Sequence, residues 1–245
     1  MSPLPFPAAT VTNIITALAG LGTASFGLVD ATKAAGGGVS RIGLGDIKQV
    51  LLPLYGPSAS KTDRTTPFTY ASVLENLRAN WMNGTNLGDQ KAIAKTLIKL
   101  HLTAATAPEL AAATGVDPVE LAAIANSINQ AITLTPQQAD IFGRFDLALT
   151  SVFDQAYQRA DQRYRNVAKL LAGLFSIVIA FLAGYLYCLK QGGEYPSTLA
   201  AYVQNSFCWI CVLAGGLATP IAPVAKDLTS AIAAGTNVVQ KFTKS

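Results

Sequence analysis

Residues 142–190 decide the fold that this sequence predicts: FGRFDLALTSVFDQAYQRADQRYRNVAK (142–169) continues into LLAGLFSIVIAFLAGYLYCL (170–189) and then Lys190. The second part is an uncharged apolar run of about 20 residues, the length that an α-helix needs to cross a hydrocarbon core of about 30 Å. No proline interrupts the stretch. The sequence therefore predicts one long helix in which a charged half runs without a break into a membrane crossing.

The charged half of this helix has a heptad-like pattern of apolar side chains, mostly at steps of three and four. Such spacing is typical of a coiled coil or of a helix packed on a partner. The pattern fits two interpretations equally: an oligomer interface with a second copy of the chain, and packing on helices of the same chain. We name these residues the aromatic stripe: Phe142, Phe145, Leu149, Val152, Phe153, Tyr157 and Tyr164.

Two further segments are candidate membrane crossings. Residues 8–29 carry no charge and are long enough to span a bilayer, the alternative being an amphipathic or buried helix. Within them, Gly20 and Gly27 would let a neighbouring helix approach closely, as small residues do in membranes, so we assign both to the oligomer interface. Residues 202–225 form the third candidate crossing, after a short polar turn.

The composition is typical of a membrane protein. The chain is 51% hydrophobic and only 13% charged, whereas soluble domains contain about 25% charged residues. Most basic residues lie between Lys33 and Lys169, and an excess of Lys and Arg marks cytoplasmic segments. We therefore predict a multi-pass protein of the plasma membrane, with its N-terminus outside and the bulk of its soluble part in the cytoplasm.

The predicted fold class is all-α: an integral membrane protein with about three transmembrane helices and a helical cytoplasmic region. Its parts are an N-terminal transmembrane helix (1–32), a cytoplasmic helical region (33–141), the long amphipathic helix continuing into transmembrane helix 2 (142–189), an external turn with transmembrane helix 3 (190–225) and a cytoplasmic amphipathic tail (226–245). We expect the tail to bind the membrane surface, where anionic lipids are candidate partners of its basic side chains. These side chains are Lys226, Lys241 and Lys244.

Two patterns in the middle region have a functional and a structural interpretation. Lys91, Lys95 and Lys99 form a row four residues apart, which suits either anionic headgroups or, more commonly, a solvated helix face. Residues 106–128 read as two helices joined at a glycine, as in a DNA-binding helix-turn-helix. The second of these helices has no Arg or Lys to contact phosphates or bases, so we predict a helical hairpin and no nucleic-acid partner.

The sequence contains no pattern that predicts catalysis. His101 is the sole histidine, and we expect it to be packed or on the surface rather than to act as a general base. Cys208 and Cys211 have the two-residue gap of redox pairs and zinc sites, but they lie in an apolar segment without a second pair of ligands. We predict no catalytic, cofactor-binding or metal-binding residues, and a protein that is not an enzyme.

Three stretches together resemble a family of uncharacterised bacterial inner-membrane proteins. The matching pattern is an aromatic-Asp pair, Phe145-Asp146, ahead of the cluster Tyr164-Arg165 that enters the next crossing. Residues 51–77 are similar to that family's short helix, loop and Pro-aromatic helix start, and GGLATPIAPVAKDLTSAI (215–232) is similar to its final crossing and exit. The resemblance implies an N-terminal crossing, a helical cytoplasmic region, C-terminal crossings and a bacterial inner-membrane location. It implies no activity.

These expectations combine into one functional hypothesis and two alternatives. The leading hypothesis is a non-enzymatic homo-oligomeric membrane protein that scaffolds or shapes the bacterial inner membrane. The first alternative is an oligomeric pore or channel, in which polar residues face water. The second is a membrane thiol-redox or metal protein that uses Cys208 and Cys211. The candidate pore-lining residues are Asn13, Thr16, Thr23 and Thr219.

Overall fold

The computed structural model describes residues 8–34, 36–57, 59–193 and 195–222. All regular structure within these ranges is helical, as the sequence predicts. The predicted tail with Lys226, Lys241 and Lys244 lies outside the described residues. The helices are α1 (Ala8–Ala31), α2 (Leu44–Tyr55), α3 (Tyr70–Met82), α4 (Leu87–His101), α5 (Ala107–Thr114), α6 (Pro118–Asn129), α7 (Pro136–Gln191), α8 (Leu199–Gln204) and α9 (Ser206–Ala222).

The long helix predicted from the sequence is α7, which runs for 56 residues. It begins at Pro136, six residues ahead of the segment 142–189, because Thr135 and Gln138 cap it. The Gln138 backbone N–H donates to Thr135 Oγ1 (3.2 Å), and the Thr135 N–H donates to Gln138 Oε1 (3.1 Å). This reciprocal pair satisfies two backbone donors that a helix start would otherwise leave unpaired.

The chain divides into two compact units, and α7 contributes residues to both. The first, Val39–Arg165, contains α2 to α6 and the start of α7. Its helices surround one apolar core, whose largest fully buried side chains include Leu51, Leu77, Ile98, Leu110 and Leu121. The predicted hairpin is present as α5 and α6, and Gly115 ends α5 at a φ of +73°, a left-handed conformation that favours glycine.

The aromatic stripe faces this core, so packing within one chain accounts for it. Phe145, Leu149 and Tyr157 are 0% exposed, and Phe153 is 1% exposed. Phe142 and Tyr164 pack against the same core at its edge, and Val152 is half-buried. Assignment of the stripe to an oligomer interface is therefore corrected, because its central side chains offer no surface to a second copy.

The lysine row on α4 is only partly exposed, because it pairs with aspartates of α7. Lys91 Nζ lies 2.6 Å from Asp154 Oδ1. Asp146 accepts from two lysines, at 3.1 Å from Lys95 and 3.0 Å from Lys99. The order of these pairs shows that α4 and the start of α7 run antiparallel. The even spacing of the lysine row therefore reflects its contact with a neighbouring helix.

The second unit comprises Met1–Gly38 and Asn166–Ser245, of which the structure describes α1, the rest of α7, α8 and α9. Two helical segments are long and apolar enough to cross a membrane: Asn13–Ala34 and, within Pro136–Gln191, a window of mean hydropathy 2.2. Most residues of each apolar window are not buried. The third predicted crossing begins four residues later than expected, at Ser206, because the helix breaks at Asn205. Asn205 Oδ1 accepts from the Phe207 N–H at 2.8 Å and caps α9.

Small residues set the helix contacts of this second unit. An added Cβ on Gly22 of α1 would lie 2.7 Å from Ala222 Cβ, and one on Gly215 of α9 would lie 2.6 Å from Ile177 Cα. On α7 a buried row of small residues repeats every four positions, so α7 presents a narrow face along which backbones approach closely. The row consists of Ala168, Ala172, Ser176, Ala180, Gly184 and Cys188.

Candidate functional site

One face of α1 is exposed and lined by small residues. We name it the α1 outer face. Its residues recur at steps of three and four, as in a helix packed along a partner. Gly20 and Gly27, the two residues that the sequence analysis assigned to an oligomer interface, belong to it. A Cβ added to either would meet none of the described residues within 4 Å. The α1 outer face consists of Ala17, Gly20, Ala24, Gly27 and Ala31, all exposed.

The exposed faces of the other two apolar helices carry more large side chains, whereas α1 exposes only Ile14 (53%) and Leu28 (44%) among its described large apolar residues. On α7, Leu170 is 64% exposed and Leu186 is 63% exposed. On α9, Leu213 is 66% exposed and Ile210 is 60% exposed. Branched apolar side chains of this size suit contact with lipid chains. The small residues of the α1 outer face instead suit contact with another helix.

The three cysteines are free thiols, and two are packing groups. Cys188 of α7 and Cys208 of α9 form a buried cluster with Tyr202. The Tyr202 hydroxyl donates to the Phe181 carbonyl at 3.2 Å. Cys211 is only half-buried, so the two thiols of the C-x-x-C spacing have different environments. Among the described residues no group of three His, Cys, Asp or Glu side chains is placed to hold a metal ion.

His101 is a packed histidine. Its ring stacks on Tyr55, with ring centroids 4.3 Å apart and an interplanar angle of 29°. The Tyr55 hydroxyl donates to the Phe68 carbonyl at 3.0 Å. Burial lowers the pKa of His101 below its usual 6.5, although the charge of Glu109 opposes the shift. The ring is therefore neutral at pH 7, and it serves here as an aromatic packing surface.

The Val39–Arg165 unit also contains a pocket of about 450 Å³, which we name the basic pocket. One face of α2 and one face of α3 form its walls. The two lining residues of α2 are 44 and 48, and the four of α3 are 71, 74, 75 and 78. The connection between α2 and α3 supplies Lys61 and Arg64, and the turn before α2 supplies Arg41. Its lining residues are Arg41, Leu44, Lys48, Lys61, Arg64, Ala71, Leu74, Glu75 and Arg78.

The loop that brings Lys61 and Arg64 to the basic pocket is held by its own hydrogen bonds. Ser60 Oγ accepts from the Asp63 N–H at 3.1 Å, and Asp63 Oδ1 accepts from the Thr65 N–H at 2.9 Å. The hydrogen bonds from Thr65 lower the pKa of Asp63. The Thr69 hydroxyl donates to the Asp63 carbonyl at 2.7 Å. Asp63 therefore stabilises the turn of this loop through its hydrogen bonds, and it does not line the pocket.

Reasoning from the sequence did not find the basic pocket. Its five cations come from three separate segments, namely the turn that ends at Arg41, α2 with Lys48, and the stretch from Lys61 to Arg78. None of these segments contains a run of basic residues. The only local signal is the spacing of residues 71, 74, 75 and 78, which places them on one face of a helix.

No protein-family model, no curated protein and no solved structure matches the chain.

Proposed function

We propose that this chain is a non-enzymatic membrane protein that associates with copies of itself through the α1 outer face. In this role it scaffolds or shapes the bacterial inner membrane. The observation that carries the proposal is the contrast between the exposed small residues of α1 and the exposed large residues of α7 and α9. Helices in lipid gain little from burying apolar groups, so they associate where small residues permit close van der Waals packing.

A polar side chain extends the α1 outer face. Asn13 is exposed and lies four residues before Ala17, so it continues the same row by one turn. Asparagine side chains hydrogen-bond across helices in membranes, and in a homo-oligomer Asn13 has a matching partner in each copy. The interface we propose therefore combines close backbone approach with one polar contact per helix pair.

The proposed topology has about three crossings, formed by α1, the apolar half of α7 and α9. The N-terminus lies outside, and the Val39–Arg165 unit lies in the cytoplasm. Support comes from the charge distribution, because this unit contains most of the lysine and arginine residues and cytoplasmic segments carry the positive excess. The aromatic stripe plays no part in this interface, since it is buried in the core of that unit.

The mass of the full-length protein in detergent tests the proposal. We expect the wild type to be a homo-oligomer by light scattering, and Gly20→Ile to be a monomer, because the added side chain holds the helices apart. Gly216→Ile is the matched control, since Gly216 lies on α9 and its added Cβ also meets none of the described residues within 4 Å. A monomeric wild type would contradict the proposal, and so would a Gly20→Ile variant with the same oligomeric mass as the wild type.

The candidate lining residues of the pore alternative differ in exposure, since Asn13, Thr16 and Thr23 are exposed. Thr219, one of its candidate lining residues, is 8% exposed and lies against Gly173 of α7. Particle images of the purified oligomer distinguish the two functions, because a pore requires a central opening and a scaffold does not.

A further inference from the structure

We propose that the basic pocket binds an organic phosphate, an anion that carries a phosphate group on an apolar or neutral body. The inference is independent of self-association, because every residue of the pocket belongs to the Val39–Arg165 unit. Five cations and one acid line the pocket. A cleft lined by one sign of charge focuses the field and attracts ions of the opposite sign.

The distribution of ion pairs in this unit singles out the pocket. Outside it, the lysines of α4 and the arginines at 144, 163 and 165 each pair with an aspartate. Inside it, within the part of the chain that the structure describes, only Arg64 has an acidic partner, with its Nε 2.8 Å from Glu75 Oε2. Among the described residues of the unit, Arg159 is the one other cation without an acidic partner. The unpaired cations of the pocket are Arg41, Lys48, Lys61 and Arg78.

Four cations gathered without matching acids repel one another, and a bound anion removes that repulsion. Phosphate suits them better than a carboxylate does, because it has more acceptor oxygens and a higher charge. Arg41 and Arg78 offer planar guanidinium groups that bind phosphate through two parallel hydrogen bonds. Lys48 and Lys61 supply point charges on flexible stems. The composition of the pocket therefore matches the chemistry of phosphate recognition.

The size and floor of the pocket point to a ligand larger than inorganic phosphate. Its volume of about 450 Å³ falls within the range of roughly 300–1,000 Å³ that is usual for small-molecule sites. Ala71 is buried and Leu44 and Leu74 are half-buried in the pocket lining, so an apolar surface is available beside the cations. We expect the phosphate to meet the cations while the body of the ligand covers this surface.

Binding to the full-length protein in a non-ionic detergent tests the proposal. The probes are dioctanoyl phosphatidic acid, for a lipid source, and glycerol 3-phosphate, for a soluble source. Dioctanoyl phosphatidylcholine is the zwitterionic control. We expect at least one of the two phosphate monoesters to bind, with an affinity that falls as salt is added. Binding of the lipid alone identifies a headgroup site, and binding of glycerol 3-phosphate identifies a site for soluble phosphates.

Two variants with the same loss of charge separate the pocket from general electrostatics. Arg78→Gln removes an unpaired cation of the pocket, and Arg159→Gln removes an unpaired, exposed cation elsewhere in the unit. We expect Arg78→Gln to weaken phosphate binding by about tenfold or more, as for the loss of a charge-assisted hydrogen bond. Arg159→Gln should leave the affinity within about twofold. In a Trp209→Phe background, the Trp81 fluorescence of each variant reports whether this unit remains folded.

Several results would overturn the proposal. One is the absence of binding by both phosphate monoesters, and another is equal binding of dioctanoyl phosphatidylcholine. Equal weakening by Arg78→Gln and Arg159→Gln would show a diffuse charge effect instead of a site. A single-stranded oligonucleotide that binds more tightly than either phosphate monoester, with dependence on Arg78, would replace the proposal with a nucleic-acid surface.

Discussion

The two halves of α7 pack by different physical means. Between Phe145 and Tyr157 the helix buries large aromatic and aliphatic side chains in the core of the Val39–Arg165 unit. From Ala168 to Cys188 it buries only small ones, one on each turn, with Gly215 of α9 in close contact near Ile177. A single uninterrupted helix thus packs through large side chains in its first half and through small residues in its second half.

The difference reflects what each half gains by packing. In water the removal of apolar surface supplies the driving force, so large side chains stabilise the most. In lipid that force is weak, because the chains of the bilayer are as apolar as leucine, and stability depends on how closely helices approach. Leu170 and Leu186 are exposed on the apolar half of α7, while Phe153 is buried in the core of the other unit.

The chain carries separate reporters for its two units. Trp81 lies at the edge of the core of the Val39–Arg165 unit, where its Nε1 donates to the Ser40 carbonyl at 2.6 Å. Trp209 belongs to the other unit and is 59% exposed, so Trp209→Phe leaves Trp81 as the only indole. Cys188 and Cys208 are buried in the second unit and react with a thiol dye when it opens.

The largest expected effect is that of Phe153→Ala. The substitution removes a side chain that is 1% exposed, and a cavity of this kind costs about 3–5 kcal/mol. Denaturant unfolding followed by Trp81 fluorescence in the Trp209→Phe background measures it. Val119→Ala is the control, because Val119 is 75% exposed. A loss below about 1 kcal/mol would contradict the claim that large buried side chains stabilise this half of α7.

The next effect tests the small-residue half. Gly215→Leu places a Cβ 2.6 Å from Ile177 Cα and 2.8 Å from the Ser176 carbonyl oxygen, and overpacking of this kind costs about 1–3 kcal/mol. Thermal opening, followed by the reaction of Cys188 and Cys208 with a thiol dye in a Cys211→Ala background, should shift to lower temperature. Gly216→Leu should leave it unchanged, since that added Cβ meets none of the described residues within 4 Å. Equal shifts for both variants would refute close packing at Gly215.

The smallest effect concerns the ion pairs between α4 and α7. Asp146→Asn removes the carboxylate that accepts from Lys95 and Lys99, at a cost of about 1 kcal/mol for such partly exposed pairs. Asp140→Asn is the control, because its pair with Arg144 is largely exposed and lies within one helix. Trp81 fluorescence during unfolding at pH 7 compares the two variants. Equal midpoints would show that the pairs of Asp146 with Lys95 and Lys99 contribute nothing to stability.

The same variant predicts a pH dependence. Burial raises the pKa of Asp146, but hydrogen bonds and charge from Lys99 and Lys95 outweigh burial and bring the pKa below the usual 3.8. The unfolded chain therefore binds this proton first as the pH falls, so the stabilisation is fully present well above pH 3.8 and is lost below it. The stability difference between wild type and Asp146→Asn should shrink as the pH falls below 3.8. A constant difference would contradict the shift.

The sequence predicted elements more successfully than contacts. The uninterrupted α7 and the α5–α6 hairpin follow from local patterns, because periodicity and a turn glycine act over a few residues. The aromatic stripe and the lysine row were recognised as helix faces, but their partners were not. Periodicity shows that a face is covered without showing what covers it, so the choice between self-association and the chain's own core needed the positions of α2 to α6.

The sequence by itself determined that the chain is helical and that two segments are apolar and long enough to cross a membrane, since composition and run length suffice for both. The tertiary structure alone decided which glycines contact a helix and which are exposed, for Gly22 touches α9 whereas Gly20 does not. It alone brought Arg41, Lys48 and Arg78 to one pocket. The physical reason is that a local pattern depends on neighbours in the chain, while a binding site depends on residues that folding brings together.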